Sequence, residues 1–148
     1  MENKETKVLI FSINGETYAT DIMEVERILG YEPPTKLPDA PDFVEGVINY
    51  EGSILPVISL CYKFSGKRNV ISNESKIIVS KQAENKIGFI VDVVSEVKDV
   101  NNGNIEPPPE IAAGISKRYI KGLIKINEKI IIFLNLKTIL TEAEKKLI

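Results

Sequence analysis

The chain carries one strand pattern twice, and that repetition limits the folds open to it. At an offset of 76 residues Gly46 falls on Gly122, Ile48 on Ile124, Ile54 on Ile130 and Leu60 on Leu136. Phe43 then matches Tyr119, Val44 matches Ile120, and Leu55 matches Ile131. The front of each half aligns at 69: Val8 with Ile77, Ile22 with Val91, Val25 with Val94, and Ile28 with Val97. The difference leaves about seven extra residues in the middle loop of the second half, around Pro107-Pro108-Pro109. Any two β segments share apolar alternation. Matching glycines and flanking aromatics go further and mark an internal duplication.

The clearest copy is residues 41–60. Val47-Ile48 and Ile54-Leu55-Pro56-Val57-Ile58 flank the polar turn Asn49-Tyr50-Glu51-Gly52-Ser53. Apolar runs around a glycine-containing turn predict paired strands. Pro56 has no N–H, so its strand is expected at a sheet edge or bulged there.

The other elements follow in order. Val8-Leu9-Ile10-Phe11 is a strand, Asn14-Gly15 a tight hairpin turn, and Thr17 to Ile22 the return strand. Met23 to Leu29 alternates near period 2, with Met23, Val25 and Ile28 expected inward. Four prolines, Pro33, Pro34, Pro38 and Pro41, make 30–41 a surface connection. Leu60 to Phe64 reads as a short helix or turn. Residues 67–75 read as a linker between a first β-barrel subdomain, 7–66, and a second, 76–148, which together make one domain. In the second, Gln82 to Lys86 reads as a turn and Glu110 to Ser116 as a short helix. Leu136, Ile139, Leu140, Ala143 and Leu147 have helical spacing, and Thr141 with Glu144 has the capping-box spacing. The expectation is a C-terminal helix docked on its own barrel, the alternative a partner-binding helix. The predicted class is all-β: two tandem five-stranded β-barrels with short helices and a C-terminal helix.

Composition matters mainly by what it excludes. The 148 residues fit one ordinary domain or two small ones. With 19 Lys+Arg against 21 Asp+Glu, no electrostatic footprint for nucleic acid or an anionic membrane stands out. No apolar run approaches the ~20 residues that span a bilayer, and the N-terminus lacks the apolar core of a secretory signal. One cysteine, Cys61, points to a reducing, cytoplasmic setting and reads as an apolar filler. With no histidine, neither an N/S zinc site nor a histidine-based catalytic arrangement can be built. No phosphate-cradling glycine motif occurs. Asp21, Glu24, Glu26 and Asp92 sit on patterned strands, where solvated faces are the simpler reading. No cofactor, metal site or catalytic residue is expected, and the chain reads as a non-enzyme.

Pro41-Asp42-Phe43-Val44-Glu45-Gly46-Val47-Ile48-Asn49, then Gly52, then Ile54 to Leu60, closely resembles the signature of the CheW family of chemotaxis coupling proteins. Ile87 to Val94 and Tyr119 to Leu123 fit the family's second half, and the resemblance runs from about Val8 to Leu140. It implies two small barrels packed side by side. It also implies an adaptor joining transmembrane methyl-accepting chemoreceptors to the regulatory domain of the histidine kinase CheA, held in the cytoplasm at the inner membrane face through receptor arrays. The family usually reads Asn-Leu-Arg-Gly where this chain has Asn49-Tyr50-Glu51-Gly52, and that arginine is associated with receptor contact. It often carries an acid where this chain has Arg27. The two departures have opposite sign. One expectation is a charge swap in which Arg27 and Glu51 pair across a shared face; the other is independent surface drift.

The residues expected to carry receptor binding are Val25, Arg27, Gly46 and Glu51, with Val25 and Gly46 as an apolar floor for a helical hairpin. On that reading Gly46→Asp weakens receptor binding and leaves the fold intact. Leu37, Val44 and Tyr62 are expected on the kinase face. Two other classes compete: a stand-alone β-barrel module holding a small ligand, and a self-assembling structural protein.

Overall fold

The computed structural model describes residues 4–81, 85–109 and 116–148. β1 (Glu5–Ile13) turns back through Asn14-Gly15 into β2 (Glu16–Asp21), with left-handed φ values of 52° and 82° at the turn. A 3-10 turn, Ile22–Glu24, leads to β3 (Val25–Gly30). β4 (Val44–Tyr50) and β5 (Ser53–Ser59) form the second hairpin, and α1 (Leu60–Ser65) follows, capped by the Ser59 side chain. β6 (Lys76–Lys81), β7 (Lys86–Val91) and β8 (Val93–Asn101) come next, then the two-residue β9 (Ile105–Glu106). α2 (Ser116–Tyr119), β10 (Ile120–Ile126), β11 (Lys129–Leu134) and α3 (Glu142–Lys145) complete the order.

The strands make two sheets, so the all-β expectation holds. One has the order β8-β1-β2-β11-β10-β9, the other β3-β6-β7-β5-β4. No backbone ladder joins the two ends of either order among the described residues, so these are open sheets rather than hydrogen-bonded barrels. The duplication is kept down to strand register. Val44 pairs with Ile58 and Gly46 with Val57 around a bulge; 76 residues on, Ile120 pairs with Leu134 and Gly122 with Phe133 around the same bulge. Ile10–Glu96 and Phe11–Val94 bracket a bulge in one sheet. Their counterparts at an offset of 69, Val79–Arg27 and Ser80–Val25, bracket one in the other. Even the parallel contacts correspond: Val57 lies beside Gly88, and Phe133 beside Ala19.

The two copies are exchanged between the sheets. The five-stranded sheet is the continuous segment 25–91. The six-stranded sheet combines the N-terminal hairpin β1–β2 with β8 to β11. The linker expected at 67–75 therefore runs from α1 to β6 inside the five-stranded sheet and does not divide the sheets. The chain passes between them at Ile22–Glu24 and at Asp92.

Each sheet has its own core. Val8, Ala19, Ile124 and Phe133 lie in one, and Ile48, Leu55, Ile77 and Ile90 in the other. A third cluster draws on both sheets, from Phe11 and Leu134 to Phe43, Ile58, Ile78 and Phe89. Burial of this kind contributes roughly 25 cal/mol per Å² of apolar surface, which fixes the sheets against one another.

Several local expectations change. Met23 is 75% exposed and Ile28 is also exposed, because the 3-10 turn and the bulge after Val25 shift the alternation; Glu24 turns inward instead. Pro56 lies in an inner strand, yet it precedes the Val57–Ser59 stretch that pairs with β7, so its missing N–H costs no bond there. At the C-terminus Leu136, Ile139 and Leu140 are buried, and Thr141 caps α3 in a capping box with Glu144, but Leu147 is 62% exposed. The helix read over 110–116 lies outside the described residues except at Ser116, and most of the turn read over 82–86 does too.

Candidate functional site

β3 and β4 are the outer strands of the five-stranded sheet, yet their side chains meet. The sheet curls far enough for the Tyr50 hydroxyl on β4 to donate to Glu26 Oε2 on β3 at 2.7 Å. Lys86 Nζ, from β7, donates to the same oxygen at 2.9 Å and lies 5.4 Å from the Tyr50 ring centroid. Arg27 lies 5.9 Å from that centroid and reaches Glu51 in the hairpin turn at 3.3 Å. Side chains thus join the ends that the backbone leaves apart.

This cluster has a distinct electrostatic character. The hydrogen bond to Glu26, then burial, pushes the Tyr50 hydroxyl up to about 12. The Lys86 and Tyr50 hydrogen bonds hold Glu26 below the usual carboxylate range. Arg27 and Glu51 remain about half exposed, at 55% and 49% of their side-chain surface, so both stay within reach of a partner. The expected cross-face pairing of Arg27 with Glu51 is therefore present. An exposed pair of this kind contributes only about 0.2–1 kcal/mol to stability.

Gly46 occupies a different place from the one expected. It is buried, with φ of 144°, and an added Cβ would run into the Thr35 carbonyl. The reason is local: Thr35 bridges to Val47, with N–H···O distances of 2.8 and 2.9 Å, and lays its backbone over β4. Gly122 does the same under β9, where an added Cβ would stand 2.8 Å from the Glu106 carbonyl oxygen. Gly46 is a packing position beneath a crossing segment, not the floor of a groove, so Gly46→Asp is expected to disturb the fold rather than spare it. Val25 is half-buried and packs on the shared core.

The residues expected on a kinase face are spread out. Leu37 is 48% exposed and Val44 only 8%; both line an open groove of about 1160 Å³ between the β4–β5 hairpin and the C-terminal residues 145–148. Glu51 lines the same groove, whereas Val25, Arg27, Gly46 and Tyr62 do not. Tyr62 sits elsewhere, its hydroxyl 3.3 Å from Asp42 Oδ2 and its ring under Arg68. The β3 residues Val25 and Arg27 lie outside the groove that Leu37 and Val44 line, and Glu51, which pairs with Arg27 and lines the groove, stands where the two adjoin. Sequence reading missed Glu26, Tyr50 and Lys86, which no pattern along the chain links.

Among the described residues, no group of three or more acidic or cysteine side chains is placed to hold a metal. No helix there is long and apolar enough to cross a membrane.

Comparison with known proteins agrees with this architecture. The family described as CheW-like domain matches residues 7–144. A chemotaxis protein CheW from Klebsiella aerogenes is 33% identical over 140 residues, covering 95% of this chain and 84% of that protein. The Thermotoga maritima chemotaxis protein CheW is 31% identical, covering 97% and 93%. The crystal structure of the scaffolding protein TtCheW from Thermoanaerobacter tengcongensis superposes with a TM-score of 0.88 at 34% identity, covering 98% of this chain and 99% of that one. Near-complete coverage at this level of identity, on the same two-sheet fold, establishes that the chain belongs to the CheW-like domain family.

Proposed function

We propose that the chain is a non-catalytic adaptor in chemotaxis, holding the regulatory domain of a CheA histidine kinase and the cytoplasmic tip of a methyl-accepting chemoreceptor at the same time. Binding to receptor arrays would keep it at the inner face of the membrane. The observation that carries the reading is the end-to-end agreement in fold and sequence with CheW scaffolds. The receptor is assigned to the side of β3 that carries Val25 and Arg27, together with Glu51 at the hairpin turn. The kinase is assigned to the apolar surface around Leu37 and Val44, and Tyr62, which lies outside that groove, is left out of it.

The Arg27–Glu51 pair gives the receptor side a specificity element. A receptor tip that suits the usual arrangement presents charge to an arginine at position 51; here it meets a carboxylate. Opposed like charges discriminate against a wrong partner more strongly than a matched exposed pair stabilises the right one.

Isothermal titration against a purified CheA regulatory domain and a receptor cytoplasmic fragment tests the reading. Saturable one-to-one binding to both is expected. Arg27→Glu or Glu51→Arg alone should weaken the receptor interaction, and the double exchange should shift preference towards receptors that suit the usual arrangement. Silence towards both partners would return the chain to the class of stand-alone modules.

A further inference from the structure

Glu24 stands on one of the two crossings between the sheets, immediately before β3, and is gripped from the other side. Only 9% of it is exposed. Its Oε1 accepts the Leu136 backbone N–H at 3.1 Å and faces the Thr20 hydroxyl at 3.5 Å. Its Oε2 lies 3.7 Å from Lys121 Nζ, which rests over the Phe133 ring. Thr20, Lys121 and Phe133 belong to strands of the six-stranded sheet, and Leu136 follows its strand β11. A buried carboxylate held this way is costly to move, because the Leu136 amide, itself buried, would lose its acceptor.

The contacts continue beyond Leu136. Arg118 donates to the carbonyls of Thr138 and Ile139, at 3.1 and 2.7 Å, and the Thr138 hydroxyl donates back to the Arg118 carbonyl. Two residues after Ile139, Thr141 caps α3, whose Glu144 is tied to Lys63 of α1 at 2.8 Å. A run of polar contacts therefore leads from the start of β3 to the C-terminal segment that borders the groove containing Leu37 and Val44.

We infer that Glu24 is a positioning residue that couples occupancy of the β3 face to the Leu136–Leu140 turn, and so to affinity at the groove. The inference rests on the two-partner reading above and adds a route between the partners. Docking on Val25 and Arg27 shifts the first residues of β3, and the adjacent carboxylate carries the shift to the Leu136 amide. Such coupling must be reciprocal: each partner changes the other's affinity by one common factor. It also needs a physical link that both sites bias, not proximity alone.

Two measurements test it on the full chain. Amide exchange across 134–140 is followed with and without a chemoreceptor cytoplasmic fragment; a change in protection at Leu136 is expected, and unchanged protection overturns the inference. Affinity for the CheA regulatory domain is measured with and without the same fragment, in the wild type and in Glu24→Ala and Lys121→Met. The wild-type ratio should differ from unity about fivefold or more, and should fall towards unity in both variants. A purely structural role would lower the melting temperature and weaken both affinities while leaving their ratio unchanged, which would sink the inference. If Glu24→Ala does not fold, Lys121→Met and the exchange measurement decide. Binding of neither partner removes the adaptor reading and this inference with it; binding of both with no mutual effect removes the inference alone.

Discussion

Tyr50 shows how much one side chain can hold in a small barrel-like sheet. Its hydroxyl closes the gap between the two outer strands, and its ring is flanked by Arg27 and Lys86. Because the folded state raises its pKa to about 12 from 10, the bond to Glu26 stabilises the fold fully below pH 10. That contribution fades as pH rises through the folded value. Glu26 runs the other way: its lowered pKa contributes above the unfolded value of 4.5 and is lost as pH falls through the folded one. Tyr50→Phe is expected to cost about 1–2 kcal/mol at neutral pH and to flatten the decline in stability between pH 10 and 12, read by denaturant unfolding across that range. Gly46→Ala is expected to cost about 2–3 kcal/mol, since both the added Cβ and the positive φ oppose it; urea midpoints measure this directly. For Arg27 and Glu51 the sequence offered a pairing and independent drift side by side, as two departures of opposite sign from the family's usual residues, and the structure shows the pair. Sequence was misleading about Gly46, because a glycine that admits a partner and a glycine that admits the chain's own backbone look alike in one dimension.

At the level of elements, turns and caps were readable and phase changes were not. Asn14-Gly15 takes the two left-handed conformations its residues favour, and Thr141 with Glu144 forms the capping box its spacing implied. The alternation along the chain predicts extended backbone through Ile22–Glu24; a single 3-10 turn there reverses which side chains face inward, bringing Glu24 in and turning Met23 out. The two copied hairpins also differ in quality. Glu51-Gly52 turns one, with φ of 53° and 83°, while Asn127-Glu128 turns the other, with 48° and 69°. Glu128 thus holds a conformation that its counterpart leaves to glycine. Glu128→Gly is expected to stabilise the chain by about 1 kcal/mol, seen as a raised melting temperature with partner binding unchanged.

For the whole molecule, the duplication was visible and its exchange was not. A repeat read along the chain specifies which segments are equivalent, but not which copy each hairpin joins. Here β6 and β7 lie between β3 and β5, while β1 and β2 lie between β8 and β11. Neither 7–66 nor 76–148 owns a complete sheet. The two segments produced separately should remain unfolded, and mixing them should restore native circular dichroism, because every ladder can re-form apart from the Glu5–Asn101 and Thr6–Val100 pairs at the start of β1. Independent folding of either segment would contradict this.

The exchange has a further outcome for how such a protein can change over time. The segment from Val25 to Val91 leaves the six-stranded sheet and rejoins it at two places fastened to the N-terminal hairpin, through Glu24 with Thr20 and through Asp92 with Ser12 and Asn14. It is laid out like a cassette seated in a frame. Recombination at those two seams would exchange the proposed surfaces together, since Val25, Arg27 and Glu51 as well as Leu37 and Val44 lie between them, while the frame that seats the cassette stayed as it was.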